Sequence, residues 1–324
     1  MRALAGAFPA HERILAAPVG LAPLARLSGA IDRVVDTAPL RPLDPELGRP
    51  EVAVDLHGRG PGSHRVLLAA RPARLIAFFN DEIPESAGFP AWNQEEHEVI
   101  RWCRMLSGHR ITADPYRLDL PAVSLPGFSP PAGATVIHPG AAYPARRWPA
   151  ERWAAVARSE LRAGHKVVVT GGPNEVALAQ EVARRGGVEQ GDVLAGRTGL
   201  MELAATVSAA ARVLSGDTGV AHLATALRRP SVVLFGPTPP ALWGPPPDRP
   251  WHITIWKGRR GDPNGGSPDP GLLEISVDEV LDALQRLPSG AELSEAATPA
   301  AGQRRAPVPP PHWQHGYRPA PHSS

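Results

Sequence analysis

Residues 214–236, LSGDTGVAHLATALRRPSVVLFG, constrain the fold more than any other stretch of the chain. An apolar run, 211–214, stops at Ser215-Gly216-Asp217-Thr218-Gly219, a helical pattern begins at Val220, and a second apolar run, 231–235, follows Arg229-Pro230. Strand, tight turn, helix and strand make the repeating unit of a parallel sheet. At such a turn the first N–H groups of the helix lack intrahelical partners, and the helix dipole favours negative charge there. Gly216 and Gly219 admit a ligand close to the backbone, and Thr218 adds a hydroxyl donor. Asp217 is acceptor-only and would repel a phosphate, which suits it to sugar hydroxyls or to capping the helix. His222 falls on the first helical turn, within reach of the same place. The competing reading is purely structural: a helix capped by Asp217 or Thr218, with His222 packed.

The same alternation runs upstream. Strands are predicted at 135–138, 166–170, near 193–194, at 212–214 and at 231–235, with helices at 150–163, 175–185, 200–210 and 220–227 between them. This pattern predicts a doubly wound parallel sheet over 133–288, finished by an amphipathic helix at 277–287. Trp148 and Trp153 read as core. The amino-terminal part, 1–125, is less regular. Leu4 and Phe8 lie a turn apart in a helix without a start signal, followed by a strand at 13–17, a helix at 21–30 and a strand at 33–36. A strand at 51–56 opens into His57-Gly58-Arg59-Gly60-Pro61-Gly62, and Ser63 is read as the cap of a helix to Ala70. A strand at 74–79 and a helix from about Gln94 to Leu106 follow, with Cys103 on the apolar face. The Pro- and Gly-rich stretch 121–132 reads as the linker, and 289–324, rich in Pro, Ala, Ser and His, as a disordered tail.

Composition narrows the function. With 324 residues the chain has room for two domains, and no apolar run approaches the length of a membrane span. A single cysteine excludes an intrachain disulfide, and no spacing suggests a metal site; no cofactor is expected. The formal charge is only +2, with acids and bases interspersed, and no nucleic-acid motif appears. The Met1 segment lacks a signal-peptide core, so the chain reads as cytoplasmic.

GDTGVAHLATAL followed by PSVVLFGPT, together with IHPGAAYPARRWPAERWAAVA (137–157) and VVVTGGPNE (167–175), resembles glycosyltransferase family nine, the ADP-heptose:lipopolysaccharide heptosyltransferases. The resemblance covers roughly half the chain, with the motifs in the family's order. It implies a GT-B fold: two Rossmann-like domains, each a doubly wound parallel sheet, facing a cleft, with the carboxy-terminal one holding a nucleotide-diphosphate sugar. The implied donor site comprises His138, Gly140, Arg146, Arg147, Gly171, Gly172, Glu175, Thr198, Asp217, Thr218, Gly219, Val220 and His222. Within it Arg146 or Arg147 would clamp the diphosphate, Glu175 would accept from ribose hydroxyls, and the loop 196–200 would border the base. Glu175 has a structural alternative as a first-turn residue favoured by the dipole. The implied chemistry is metal-independent, inverting transfer of a sugar such as a heptose to a hydroxyl acceptor, with peripheral contact at the inner membrane surface allowed. An epimerase, or an inactive nucleotide-sugar-binding module, are the alternatives.

The resemblance also implies that the amino-terminal domain is incomplete. Relatives begin with a strand and a Gly-Asp loop carrying the proposed catalytic base; here that base would lie upstream of Met1. Without a central first strand, two sheet edges would be left open. Either the true start lies upstream or the chain is a degenerate relative. The remaining acid/base candidates are Asp55 and His57, at the carboxyl end of a strand, with Arg59 beside them.

Overall fold

The computed structural model describes residues 1–288, so the tail reading for 289–324 lies outside the described residues. The chain divides into two compact units, Met1–Leu118 and Asp119–Ser324. The division falls just ahead of the expected linker, because 119–132 is tied to the second unit. There Leu120 N–H donates to the Ala226 carbonyl at 2.7 Å and Val123 N–H to Ser208 Oγ at 2.9 Å. No helix of the described residues is long and apolar enough to cross a membrane.

The second unit holds β5 (Thr135–His138), α5 (Ala150–Arg162), β6 (Val167–Val169), α6 (Val176–Gly186), α7 (Leu200–Ala209), β7 (Arg212–Gly216), α8 (Gly219–Ala226), β8 (Ser231–Leu234), α9 (Pro240–Trp243), β9 (His252–Ile255), α10 (Pro270–Leu273) and α11 (Val277–Gln285). Its five strands pair in parallel in the order β6-β5-β7-β8-β9. Strands β5, β6 and β8 are buried at every position, which is why they read as unbroken apolar runs: helices cover both faces of the sheet. The segment near 193–194 makes a single parallel bridge from Val193 to Val169 rather than a strand.

Helix α5 buries Trp153, Ala154, Val156, Ala157 and Glu160, a spacing that turns one face to the core. It meets α6 closely, and a Cβ on Gly186 would stand 2.9 Å from the Ala157 methyl. The Trp148 and Trp153 rings meet edge to face at 5.0 Å, and the Trp148 indole N–H donates to the Ile275 carbonyl, anchoring the approach to α11. Glu160, 6% exposed, joins the sheet to its helix layer: Arg212 of β7 donates to it at 2.6 Å and Thr135 of β5 also donates to it. That contact fixes the amino ends of β5 and β7 against each other.

The first unit is built of α1 (Arg2–Ala7), β1 (Ile14–Ala16), α2 (Ala22–Leu27), β2 (Arg33–Val35), β3 (Val52–Val54), α3 (Gly62–Ala69), β4 (Arg74–Ile76) and α4 (Glu98–Gly108). Its strands form two separate two-stranded parallel sheets, β1–β2 and β3–β4. An exposed ion pair, His11 to Glu51 at 2.5 Å, spans the residues just ahead of β1 and β3. Leu4 of α1 packs with Ile76, Phe78, Met105 and Leu106.

Three expectations in this unit need correction. Helix α4 starts at Glu98, not near Gln94. The buried Arg101 guanidinium takes the carbonyls of Asn93, Gln94 and Glu96 and stacks 4.2 Å over Trp92, so that segment cannot enter the helix. Ser63 lies inside α3, which begins at Gly62, and its hydroxyl serves Asp55 instead of the helix end. Asp55 and His57 are not an acid/base pair, since Asp55 Oδ1 accepts only the His57 backbone N–H at 2.8 Å. The partner of Asp55 is His64, whose Nδ1 lies 2.7 Å from Oδ2 and whose Nε2 lies 2.8 Å from the Phe78 carbonyl. Both ring nitrogens therefore face acceptors, an arrangement that the doubly protonated imidazolium satisfies. A Cβ on Gly60, at φ +72°, would stand 2.7 Å from His64 Nδ1, so the glycine-rich loop exists to close over this buried pair. Cys103 is half-buried, and burial pushes its thiol up to about 11, which leaves it unreactive.

Two outcomes follow from this architecture. Burial disfavours both charges of the Asp55–His64 pair, but their mutual hydrogen bonds outweigh it, lowering Asp55 and raising His64. The His64 contribution is complete below about pH 6.5 and is lost as pH rises through its raised value; that of Asp55 is present above about pH 3.9 and is lost on acidification through its lowered value. Urea unfolding of the first unit should therefore show stability falling from pH 6 to pH 9. His64→Ala should flatten that slope and cost about 3–5 kcal/mol at pH 6. Amide hydrogen exchange should also be faster in β1–β2 and β3–β4, whose edges are open, than in β5 and β7, and equal protection would contradict the split sheet.

Candidate functional site

The strand order of the second unit locates its site. From β5 the chain steps outward to β6, returns past β5 to β7, and then continues outward through β8 and β9. The direction of winding reverses between β5 and β7, and the connections leaving their carboxyl ends part there to opposite sides, leaving a crevice where such sheets hold ligands. His138 ends β5 in register with Ser215 of β7. The structure thus gathers His138, Gly140, Arg146, Asp217, Thr218 and Gly219, all expected site residues, around one switch point.

The turn after β7 is built closely. Asp217 N–H donates to the Leu234 carbonyl at 3.1 Å, and a Cβ on Gly216 would stand 3.1 Å from the Arg146 carbonyl oxygen, so glycine is what lets the two loops meet. Arg146 Nη1 donates to the Asp217 carbonyl at 3.3 Å, and the guanidinium lies 5.9 Å from the Tyr143 ring centroid. Thr218 precedes α8 in an extended conformation, yet its hydroxyl caps nothing. Thr218 Oγ1, Ser215 Oγ and Arg146 Nε are all buried without a hydrogen-bond partner. Asp217 is 7% exposed, and none of the described residues donates to its carboxylate. Burial raises its carboxyl pKa, against the pull of His222 and Arg146. The purely structural reading of this turn, a helix capped by Asp217 or Thr218, is thereby overturned. Val220 is buried at the start of α8, while His222 is open to solvent.

Two neighbouring helix starts behave in the opposite way. Glu175 Oε2 accepts the Gly172 N–H at 2.7 Å, and Glu202 Oε2 accepts the Gly199 N–H at 2.6 Å, so each turn satisfies its own donor. Glu175 presses on Gly140, where a Cβ would come within 2.1 Å of its carboxylate carbon. His138 Nδ1 sits 3.1 Å from Thr170 Oγ1 and its Nε2 3.6 Å from Glu175. Burial holds the His138 imidazole below its ordinary pKa, with Glu175 acting the other way. Gly171 and Gly196 join the loops after β6 and before α7 through a 2.9 Å backbone bond, and Thr198 Oγ1 reaches the Leu194 carbonyl at 3.5 Å. Arg147 turns to the Ala141 carbonyl at 2.9 Å, bracing its own loop, so of the arginine pair only Arg146 reaches the turn.

The sequence reading missed Ser215, because a serine closing an apolar strand carries no signal until register sets it beside His138. It also passed over Tyr143 and Trp243, both exposed. Among the described residues no three His, Cys, Asp or Glu side chains group as metal ligands would.

Residues 121–259 match the family described as Glycosyltransferase family 9 (heptosyltransferase). No curated protein matches the chain. Among solved structures, the ADP-heptose LPS heptosyltransferase II of E. coli is similar at 20% identity and TM-score 0.69, over 91% of this chain and 94% of that one. A family 9 glycosyl transferase from Veillonella parvula DSM 2008 is similar at 20% identity and TM-score 0.69, over 88% and 90%. E. coli heptosyltransferase WaaC, solved with ADP, follows at 18% identity and TM-score 0.62, over 87% and 93%. These likenesses span both units and show the fold, an α/β fold with parallel sheets matching the GT-B heptosyltransferases. Residues 121–259 thus resemble glycosyltransferase family 9, in a chain whose fold is similar to that of the heptosyltransferases.

Proposed function

We propose that this chain transfers a sugar from a nucleotide-diphosphate donor to an acceptor hydroxyl, with inversion, the donor being ADP-linked and its sugar a heptose. The observation that carries the reading is the unsatisfied amino end of α8. Its turn leaves Thr218 Oγ1, Ser215 Oγ and Arg146 Nε buried without partners at the switch point, beside a helix that no side chain caps. Buried polar groups without partners are rare, and a helix amino terminus favours an anion. A diphosphate supplies the missing acceptors in one group.

In this reading the N–H groups at Gly219 and Val220, the Thr218 hydroxyl and the Arg146 guanidinium hold the leaving diphosphate and stabilise charge that grows as the glycosidic bond breaks. Asp217, poorly suited to a phosphate, accepts from sugar hydroxyls. His138, Gly140, Gly171 and Gly172 line the crevice, and Glu175 offers its second carboxylate oxygen to ribose, the first being held by Gly172. Thr198 borders the base. The similar E. coli heptosyltransferase WaaC was solved with ADP and with ADP-2-deoxy-2-fluoro heptose, which supports the choice of base and sugar here. The transfer is assigned to the cytoplasm, without a metal, on a carbohydrate acceptor.

A second reading, a nucleotide-sugar-binding module without turnover, is favoured by one observation. Asp55, the strand-terminal carboxylate of the first unit, is fully engaged with His64 and the His57 N–H and is not free to act as a base.

Calorimetric titration with ADP tests the site. Arg146→Ala should weaken binding about 10- to 100-fold, the worth of a hydrogen bond to a charged group, and Thr218→Val about 2- to 10-fold. Unchanged affinity in both would discard the assignment. Incubation with ADP-heptose and a hydroxyl acceptor separates the readings: release of ADP with a new glycoside means transfer, whereas tight binding with no release means the module.

A further inference from the structure

Trp243 and His222 form an aromatic pair that the fold itself does not use. Trp243 ends α9 with 40% of its surface exposed, and its ring lies 6.1 Å from that of His222 at an interplanar angle of 54°. His222 projects from the first turn of α8 and is itself open to solvent. The position of Trp243 is fixed. Gly244 N–H closes back on the Pro240 carbonyl, and a Cβ on Gly244 would stand 2.6 Å from that oxygen, so the turn beneath the indole is tight. Both residues follow the carboxyl ends of adjacent strands, β7 and β8, on the edge that carries the uncapped turn. His222 is close enough to Asp217 for the carboxylate to act on its charge, which puts the aromatic pair next to an acceptor without a donor.

A large aromatic ring partly open to water on a tight turn, beside a carboxylate with unused acceptor capacity, matches the chemistry of a sugar. One face of a pyranose presents C–H groups that stack on an aromatic ring, while its hydroxyls point outward to acceptors. We propose that Trp243 and His222 form a shelf on which the glycosyl ring of the donor stacks, with Asp217 taking hydroxyls at its margin. This rests on the nucleotide-sugar reading and deepens it. The ring must lie one bond beyond the distal phosphate, and the shelf lies one helical turn beyond the α8 amino end, where that phosphate is assigned. The pair is thus a specificity determinant for the sugar, not for the nucleotide.

That distinction supplies the test. ADP and ADP-heptose are titrated in parallel into the wild-type chain and into Trp243→Ala, Trp243→Phe and His222→Ala. Trp243→Ala should weaken ADP-heptose at least about tenfold, the scale of one lost stacking contact, while ADP stays within about twofold. Trp243→Phe, which keeps a ring, should retain most of the ADP-heptose affinity, and His222→Ala, on the open face of α8, should reproduce the split more weakly. Equal weakening of ADP and ADP-heptose would move the shelf to the base and overturn the proposal, as would unchanged ADP-heptose binding in both alanine variants. A wild-type chain that binds neither ligand would overturn the donor reading itself, before any variant is compared.

Discussion

The structure depends on the adjacency of β5 and β7. Because all five strands run the same way, every strand-to-helix turn of the second unit emerges on one edge, and only between β5 and β7 do the connections part. That adjacency is secured at the far edge. The Glu160 carboxylate binds Arg212 and Thr135 there, and a buried acid is tolerated only because guanidinium and hydroxyl both answer it. The pairing of β5 with β7 then carries the constraint along four residue pairs to His138 and Ser215. A polar clamp at one end of two strands thus positions the crevice at the other.

The second unit was readable because burial on both faces makes its strands unbroken apolar runs, and because α5 and α6 bury one stripe each. The turn after β7 was readable for a related reason: Gly216, Thr218 and Gly219 stand where a strand must end and a helix begin. Strand β9 escaped, since His252-Ile253-Thr254-Ile255 sits at a sheet edge, with three of its four residues only half-buried, between Trp251 and Trp256. Its β-branched alternation was the available signal. The partners of Glu175 were also partly hidden. Its cap on Gly172 N–H is a local event three residues long, but its contact with Gly140 joins two strands and exists only once β5 and β6 have paired.

In the first unit the four strands were legible where the structure has them, but how they pair and what their side chains bind was not. Its strands are three residues each, in sheets of two, so their length and burial give no sign of which strands pair. The Asp55-to-His57 loop suggested an acid beside a histidine, and the structure indeed pairs that acid with a histidine, although a different one. His64 sits in the first turn of α3, where it looks like an ordinary surface position until the chain leaving β4 brings the Phe78 carbonyl to its other nitrogen. An acid, an imidazolium and a carbonyl arranged in line hold β3, α3 and β4 together in a unit whose sheets are too small to do so alone.

Three helix starts of the second unit, at Gly172, Gly199 and Thr218, differ in one respect. At Gly172 and at Gly199 a glutamate three residues on folds back to take the free N–H, so these helix starts are closed by their own sequence. The corresponding residue, three beyond the N-cap Thr218, is Ala221, whose methyl group has nothing to fold back with. A chain that closes two such ends with glutamate and leaves the third open, with a threonine, a serine and an arginine aimed at no partner, has not merely failed to cap a helix. Each unpaired group would be costly in a site with no other use. Their concentration at the one place where the winding reverses is what distinguishes a binding turn from a structural one, and it goes with an alanine, Ala221, at the position where the other two helix starts carry a capping acid.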